Sequence, residues 1–292
     1  MRSIFRGLLL LCLVASSLAH LAAAEPPVRV VDDRGLSVAI TSPPRRIVAV
    51  GALYVQIILD LDASDLLVAV ADSPDNPPQI ESADLPSVGP TYAPSVETIL
   101  SMEPDLVLGA TDWGGERQAL EAAGVTVLTT PVLTSVVDVL SSIRAIGSAI
   151  GAPDEADRLI GRIAESIVIS ESNAVGLPSV RCAFLYPPSM GTAPYAAGAD
   201  TIENDLIFRA GGQNVFADIS GFPQVNLEDV LIRDPEVIFT APSQLAYITE
   251  DPLLQGVTAV QSGKVFGIHA SRAASSAVAD VLSEIIERLH PG

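Results

Sequence analysis

Aromatic side chains at the ends of predicted strands are the residues of this chain best suited to chemistry. Trp113, the lone tryptophan, stands before Gly114 and Gly115 and three residues after an apolar run that ends at Ala110. An indole in such a loop offers a flat face on which a planar ligand can stack, unless it packs on its own loop instead. The other candidates of this kind are Tyr54, Tyr92, Tyr186 and Tyr195, which the pattern also places at strand ends or in loops. These side chains predict non-covalent recognition of a ligand.

Groups for catalysis or metal binding are sparse in this sequence. It contains no G-x-S-x-G, H-E-x-x-H or G-x-x-x-x-G-K-[ST] motif. After residue 24 the histidines are His269 and His290, whereas a transition-metal site usually needs several imidazole or thiolate ligands. Arg272, after the last predicted strand, could bind a phosphate or propionate, or could be a solvated loop charge. We therefore predict no catalytic residue and no metal site, with an exported hydrolase that uses two carboxylates as the distant alternative.

A repeated passage indicates how the candidate residues are positioned. Residues 95–110 read SVETILSMEPDLVLGA and residues 226–241 read NLEDVLIRDPEVIFTA, at a constant offset of 131 residues. Each copy predicts an N-capped helix, a proline stop and a buried strand. The apolar positions of each helix, among them Leu100 and Leu231, form one predicted buried stripe. Helix, turn and buried strand are the unit of an α/β domain, so two copies indicate two similar lobes with a ligand cleft between them.

The remaining pattern predicts two Rossmann-like α/β lobes joined by one long helix. We place the N-terminal lobe at 25–152, the linking helix at 153–176 and the C-terminal lobe at 177–292. The predicted strands are 28–31, 36–40, 47–50, 67–71, 105–109, 125–129, 180–185, 236–240 and 264–268. The other predicted helices are 54–62, 95–102, 115–123, 134–150 and 275–289. Because ligands of parallel sheets sit beyond the carboxyl ends of the strands, we expect the cleft there, with little closure about a helical link.

The amino terminus predicts export from the cytoplasm. Two arginines precede an apolar core at 8–15, and a run of small residues ends at Ala24. This pattern is typical of a signal peptide that occupies residues 1–24 and is cleaved after Ala24. Leu11 stands before Cys12, where lipoprotein signals carry a small residue, so we expect a free exported protein.

The charge and the cysteine count exclude further classes. Without residues 1–24 the chain has 14 basic and 35 acidic residues, which argues against binding of nucleic acid. Such an excess of acids favours solubility, with a cationic partner as the alternative. Cys182 is then the one cysteine, so no intramolecular disulfide is predicted.

Six short segments carry a resemblance to a known family in their order and spacing. They are DDRG at 32–35, PRRIV at 44–48, SVG at 87–89, PSVE at 94–97, EPDLV at 103–107 and GGQNVF at 211–216. In these segments the chain resembles the periplasmic binding proteins with a helical backbone, which serve ABC importers of cobalamin, haem and iron-siderophores. The resemblance implies a periplasmic, monomeric binding protein without a cofactor of its own. Its partners would be an ABC importer permease and the ATPase subunits.

Three further segments are most similar to the cobalamin-binding branch of that family. They are SPDNPP at 73–78, GGERQALEAAGVTV from Gly114 and FPQV at 222–225. This resemblance implies a corrinoid held between the lobes by aromatic side chains, with Phe222 in the place of a cleft aromatic. It also implies that Glu97 and Glu228, one per lobe, dock onto arginines of the permease. The alternative for each glutamate is a partner of its own helix dipole.

Haem or an iron-siderophore is the alternative ligand within the same family. Tyr92, in GPTY at 89–92, stands near the place where haem-binding relatives carry an axial tyrosine. Tyrosinate is an accepted ligand of haem iron. The spacing around Tyr92 differs from the haem pattern, so we rank haem after the corrinoid.

Overall fold

The computed structural model describes most of the chain after the predicted signal peptide. The described residues are 27–73, 75–81, 84–110, 115–187 and 193–291. The predicted signal peptide and Trp113 lie outside the described residues. Within these ranges, no helix combines the length and the apolar character that crossing a bilayer would require.

In the described residues, the N-terminal lobe contains a hairpin and a five-stranded parallel sheet. The hairpin pairs β1 (Val28–Val31) with β2 (Ser37–Ile40). The sheet strands are β3 (Ile47–Ala49), β4 (Leu67–Asp72), β5 (Ser87–Pro90), β6 (Leu106–Ala110) and β7 (Thr126–Thr130), in the order β5-β4-β3-β6-β7. The helices are α1 (Ala52–Asp60), α2 (Pro78–Glu81), α3 (Val96–Ser101), α4 (Gly115–Ala122) and α5 (Val136–Ile150). Strands β3 and β6 are covered on both faces by helices, which is why they are almost wholly apolar.

The C-terminal lobe repeats this architecture with a five-stranded sheet in which four strands are parallel. Its strands are β8 (Val180–Tyr186), β9 (Tyr195–Ala196), β10 (Gly212–Asn214), β11 (Val237–Thr240) and β12 (Val265–Gly267). The parallel order is β10-β8-β11-β12, and β9 pairs antiparallel with β8. Its helices are α7 (Ile202–Arg209), α8 (Leu227–Arg233), α9 (Leu245–Glu250), α10 (Thr258–Gln261), α11 (Ala270–Ala273) and α12 (Val278–Leu289). The predicted class, two α/β lobes with parallel sheets, is confirmed.

One long helix, α6 (Pro153–Ala174), joins the lobes; it begins at the predicted residue and ends two residues before the predicted boundary. It packs against α5 of the N-terminal lobe and α12 of the C-terminal lobe. A side chain at Gly147 would clash with Ala156, so the backbones of α5 and α6 approach closely at this glycine. Ile163 and Ile167 of α6 belong to one apolar core that includes residues of both lobes. The link is therefore a packed helix, although the extent of closure stays a prediction.

The repeated passage forms the same structure in both lobes. Ser95 accepts a hydrogen bond from the backbone of Thr98, and Asn226 accepts one from Asp229, so both helices have the predicted N-cap. After each helix the chain passes through an acidic residue in the left-handed region, Glu103 with φ 47° and Asp234 with φ 41°. Each is followed by the proline that stops the helix.

The buried stripe observed on these two helices is narrower than the stripe that the sequence predicts. Ile99 and Val230 are fully buried, as expected. Leu100 and Leu231, however, are 37 % and 40 % exposed, so that part of the prediction is wrong. A helix of less than two turns, lying on one edge of a sheet, buries little more than one apolar side chain per turn.

Candidate functional site

A cavity of about 740 Å³, here called the interlobe pocket, lies between the two lobes. Val50 follows β3, Thr130 ends β7 and Tyr186 ends β8, and all three line it. The pocket is therefore at the carboxyl ends of strands from both sheets, where the topology predicts it. Its N-terminal wall contains Gly51, Leu53, Tyr54, Ser73, Asp75, Thr91, Pro131, Val132 and Leu133. Its C-terminal wall contains Tyr195, Ile202, Glu203, Phe222, Ser271 and Ala274.

The wall from the C-terminal lobe is aromatic. The Tyr186 ring stacks on Phe184, with centroids 5.0 Å apart, and meets the Phe222 ring edge-on at 5.8 Å. Phe184 is buried and contacts Phe239 at 6.2 Å, so a row of rings runs from the core of the lobe to the pocket. Phe222 ends this row and is 48 % exposed, which leaves ring surface available to a ligand. The arrangement holds aromatic faces rigidly at the pocket.

The described wall from the N-terminal lobe is mainly aliphatic. Leu53 lies in the first turn of α1, and Pro131, Val132 and Leu133 follow β7. Val132 is 70 % exposed, so its apolar surface is open to a ligand in the pocket.

Tyr54 lies within α1, so the prediction that it sits in a loop or at a strand end is wrong. Its hydroxyl donates to the Gly109 carbonyl at 2.6 Å and lies 2.9 Å from Thr130 Oγ1. Gly51, with φ 138°, begins α1 and leaves space for the Tyr54 ring, because a Cβ there would be 3.3 Å from that ring. Tyr54 is 4 % exposed, so its main role is to fasten α1 to β6 and β7 beneath the pocket.

Glu203 is a pocket residue that sequence reasoning missed. It lies in the first turn of α7, where Thr201 caps the helix by accepting a hydrogen bond from Asn204 N. Glu203 Oε1 accepts a hydrogen bond of 2.6 Å from the Tyr186 hydroxyl. Burial raises the pKa of Glu203, and the hydrogen bond from Tyr186 opposes this shift. Burial and the neighbouring carboxyl raise the pKa of Tyr186 well above its ordinary value, so Tyr186 stays a donor.

A glutamate in the first turn of a helix is ordinarily a surface partner of the helix dipole. The T-x-x-N cap at 201–204 is a signal that could have predicted α7. No local signal predicts that Glu203 is buried, because its partner Tyr186 comes from a different element.

A second cavity, of about 650 Å³, adjoins the interlobe pocket and shares Asp75 and Ser271 with it. This second cavity is polar. Its lining includes Gln56, Asp60, Gln79, Arg162, His269, Arg272, Ser276 and Asp280. Ser276 donates a hydrogen bond to Asp60 across the lobes. Arg272 lies here and pairs with Glu284 at 3.4 Å, so the structure does not bring this predicted ligand residue into the interlobe pocket.

The remaining predicted residues lie elsewhere. Tyr92 is 88 % exposed and lines neither cavity. Glu97 and Glu228 are exposed in the first turns of α3 and α8. The structure thus groups Tyr54, Tyr186, Tyr195 and Phe222, while a ligand role for Tyr92 and Arg272 stays a prediction without support from the pocket.

The described residues contain no cluster of three or more histidine, cysteine, aspartate or glutamate side chains that could hold a metal ion. His290 Nε2 lies 3.1 Å from the Ala210 carbonyl, and His269 is exposed beside the polar cavity. Cys182 is buried in β8, and burial raises the pKa of its thiol to about 12, as is typical of an inert core cysteine.

Comparison with known proteins extends this picture over most of the chain. A profile of the family described as periplasmic binding protein matches residues 47–271. A cobalamin-binding protein of Halobacterium salinarum is 25 % identical over 256 residues, which span 84 % of this chain and 69 % of that protein. An uncharacterized ABC transporter substrate-binding lipoprotein of Bacillus subtilis is 27 % identical over 230 residues, or 77 % and 72 % of the two chains.

A solved structure has the same fold. The ABC-type Fe3+-hydroxamate transport system protein from Saccharomonospora viridis superposes with a TM-score of 0.78 at 26 % identity. The match covers 90 % of this chain and 98 % of that one. The similarity therefore includes both lobes and the linking helix, well beyond the short motifs.

Proposed function

The chain belongs to the periplasmic binding protein family, and we propose that it is the solute-binding component of an ABC importer for a cobalamin-type corrinoid. The observation that carries this proposal is the interlobe pocket, with exposed aromatic surface on one wall and aliphatic surface on the other. A flat, bulky ligand with few charges suits such walls. The similarity to a cobalamin-binding protein supports the same ligand class.

The ligand would lie with one face against Tyr186, Tyr195 and Phe222. Val132 and Leu133 would cover the other face, with Tyr54 beneath them. Trp113, whose position lies outside the described residues, is proposed to stack on the ligand from the N-terminal lobe. Stacking on a few rigid rings concentrates the binding energy at these positions.

We also propose that the protein works in the periplasm after cleavage at Ala24, with a permease and ATPase subunits as partners. Glu97 and Glu228 support the docking part of this proposal, because both are exposed and stand at the same position of the repeat. Leu100 and Leu231, three residues further on, are exposed to nearly the same degree. Each lobe therefore presents a carboxylate and an apolar side chain on one helix face, as two-point docking requires.

An iron-siderophore is the second candidate ligand, since the S. viridis structure belongs to an Fe3+-hydroxamate transport system. The similar proteins named above are substrate-binding and transport proteins, and we propose no catalytic activity for this chain.

The visible absorption spectrum of the purified protein, followed by titration with cyanocobalamin, haemin and a ferric hydroxamate, tests the proposed function. We expect cyanocobalamin to bind with a Kd of about 1 μM or tighter, and the other two to bind at least roughly tenfold more weakly. A Soret band in the purified protein, or tight binding of the ferric hydroxamate alone, would contradict the corrinoid proposal.

A further inference from the structure

Glu203 is a buried carboxyl group, and one of its two oxygens is unpartnered among the described residues. The side chain is 3 % exposed, yet it lines the interlobe pocket. Its Oε1 accepts the hydrogen bond from the Tyr186 hydroxyl, whereas its Oε2 has no donor in hydrogen-bonding geometry among the described residues. The nearby Thr201 hydroxyl donates to the Gly198 carbonyl instead. Buried polar atoms of native proteins are nearly always paired. The missing partner of Oε2 therefore points to a group that a ligand supplies.

The Glu203 carboxyl is held in place before any ligand arrives. Tyr186, its hydrogen-bond donor, is fixed between the buried Phe184 ring and the edge of Phe222. A carboxyl that is oriented in this way loses little conformational freedom when it binds a ligand. Phe222 lines the same pocket, so a ring stacked on Phe222 would occupy the pocket that Glu203 lines.

The charges of the pocket restrict the chemistry of that ligand. Among the described residues that line it, the charged ones are Asp75 and Glu203, and none is lysine, arginine or histidine. A carboxylate on the ligand would find no cation here and would face acids instead. A primary amide is neutral and suits Glu203 in either protonation state, as N–H donor to the carboxylate or as C=O acceptor from the protonated acid.

We propose that Glu203 is a specificity-determining residue of the pocket, which pairs with a primary amide at the edge of a flat macrocycle and disfavours macrocycles that carry carboxylates. This inference rests on the proposed function and gives it a chemical criterion. A corrinoid carries primary amides around its ring, whereas haem carries two propionates. Glu203 thus selects between the two ligand classes that the pocket's shape alone would admit.

Titrations of wild type, Glu203→Gln and Glu203→Leu with three probes test this inference. The probes are cyanocobalamin, its separated monocarboxylic acids (one side-chain amide hydrolysed in each) and haemin. We expect wild type to prefer cyanocobalamin to at least one monocarboxylic acid and to haemin. Glu203→Leu should weaken cyanocobalamin binding by roughly tenfold, because the amide loses its partner. Glu203→Gln is nearly isosteric, and it should reduce the preference against carboxylates by a similar factor.

Glu165→Gln, an exposed change on α6, is the matched control and should alter no affinity. Thermal melts followed by circular dichroism show whether each variant is folded. If Glu203→Leu is not folded, the affinities of Glu203→Gln alone test the inference. Wild type that binds cyanocobalamin, with the same preferences in Glu203→Gln, would overturn this inference and leave the proposed function intact. Wild type that binds haemin but not cyanocobalamin would overturn both.

Discussion

Position 91 in the N-terminal lobe and position 222 in the C-terminal lobe each stand four residues before a copy of the repeated passage, and both line the interlobe pocket. One carries the small side chain of Thr91 and the other the ring of Phe222. Six residues later, at the same helical position, both lobes carry an exposed glutamate, Glu97 and Glu228. The lobes are therefore matched on the helices that face outward and different on the walls that face each other.

The agreement of the outward elements extends to their hydrogen bonds. Asp105 and Glu236 share a repeat position, and their carboxylates accept the backbone N–H of Arg46 at 3.0 Å and of Arg181 at 3.2 Å. A partner that contacts both lobes together favours such likeness, whereas a ligand with two different faces favours unlike walls. The contrast between like outward helices and unlike pocket walls indicates that the outward surfaces contact the permease and the walls contact the ligand.

Charge reversal of both matched glutamates is expected to have the largest effect. Cobalamin uptake by cells that carry Glu97→Arg with Glu228→Arg should fall by roughly a hundredfold, since arginines of a permease would then repel both lobes. The two single variants should each show a comparable share of this loss of uptake. The Kd for cyanocobalamin should stay unchanged in all three variants.

Glu165→Arg on α6 is the control for added positive charge, and uptake should be normal with it. A loss of ligand affinity would place the carboxylates in the binding site. If one of the two single variants shows normal uptake, only one lobe docks, and the proposed likeness of the two outward surfaces is wrong.

Phe222→Thr gives the C-terminal wall the side chain that the N-terminal wall has four residues before its copy of the repeat. We expect the affinity for cyanocobalamin to fall by about 1–3 kcal/mol, because an aromatic stacking surface is removed. Thr91→Val, of matched volume, should change the Kd by less than roughly twofold. Equal effects of the two changes in a calorimetric titration would show that the walls contribute alike.

Tyr54→Phe tests whether the tyrosine of the N-terminal wall is structural. Removing the hydroxyl takes away the donor to the buried Gly109 carbonyl, so the free energy of unfolding should fall by about 1–3 kcal/mol. Affinity for cyanocobalamin should change by less than roughly twofold, since little of the ring faces the pocket. Tyr195→Phe, at a half-exposed position, should leave stability unchanged in the same urea titration. If Tyr54→Phe instead loses affinity for cyanocobalamin while its free energy of unfolding is unchanged, the Tyr54 hydroxyl contacts the ligand.

The elements that local signals define were predictable from sequence. Pro153 and Gly176 bound the linking helix, and the two N-caps of the repeat lie where Ser95 and Asn226 predict them. Strands β5, β9 and β10 were not predicted, because their sequences SVGP, YA and GQN contain no apolar run and they form by pairing with β4 and β8.

The location of the candidate site could be predicted from the sequence, whereas only some of its lining residues could. The carboxyl ends of parallel strands located the pocket, and Tyr186 and Phe222 line it. The sequence could not show that the Tyr54 hydroxyl is used within its own lobe, or that Arg272 is paired with Glu284. Glu203 was missed for the same reason, because long-range contacts decide burial and pairing.

The crystal structure of the protein with cyanocobalamin tests the central claim most directly. We predict the corrin ring in the interlobe pocket, with one face against Phe222 and Tyr195 and a side-chain amide within hydrogen-bonding distance of Glu203 Oε2. A corrin ring bound in the polar cavity beside Asp60 and Arg162, or on the outer face of either lobe, would contradict the account.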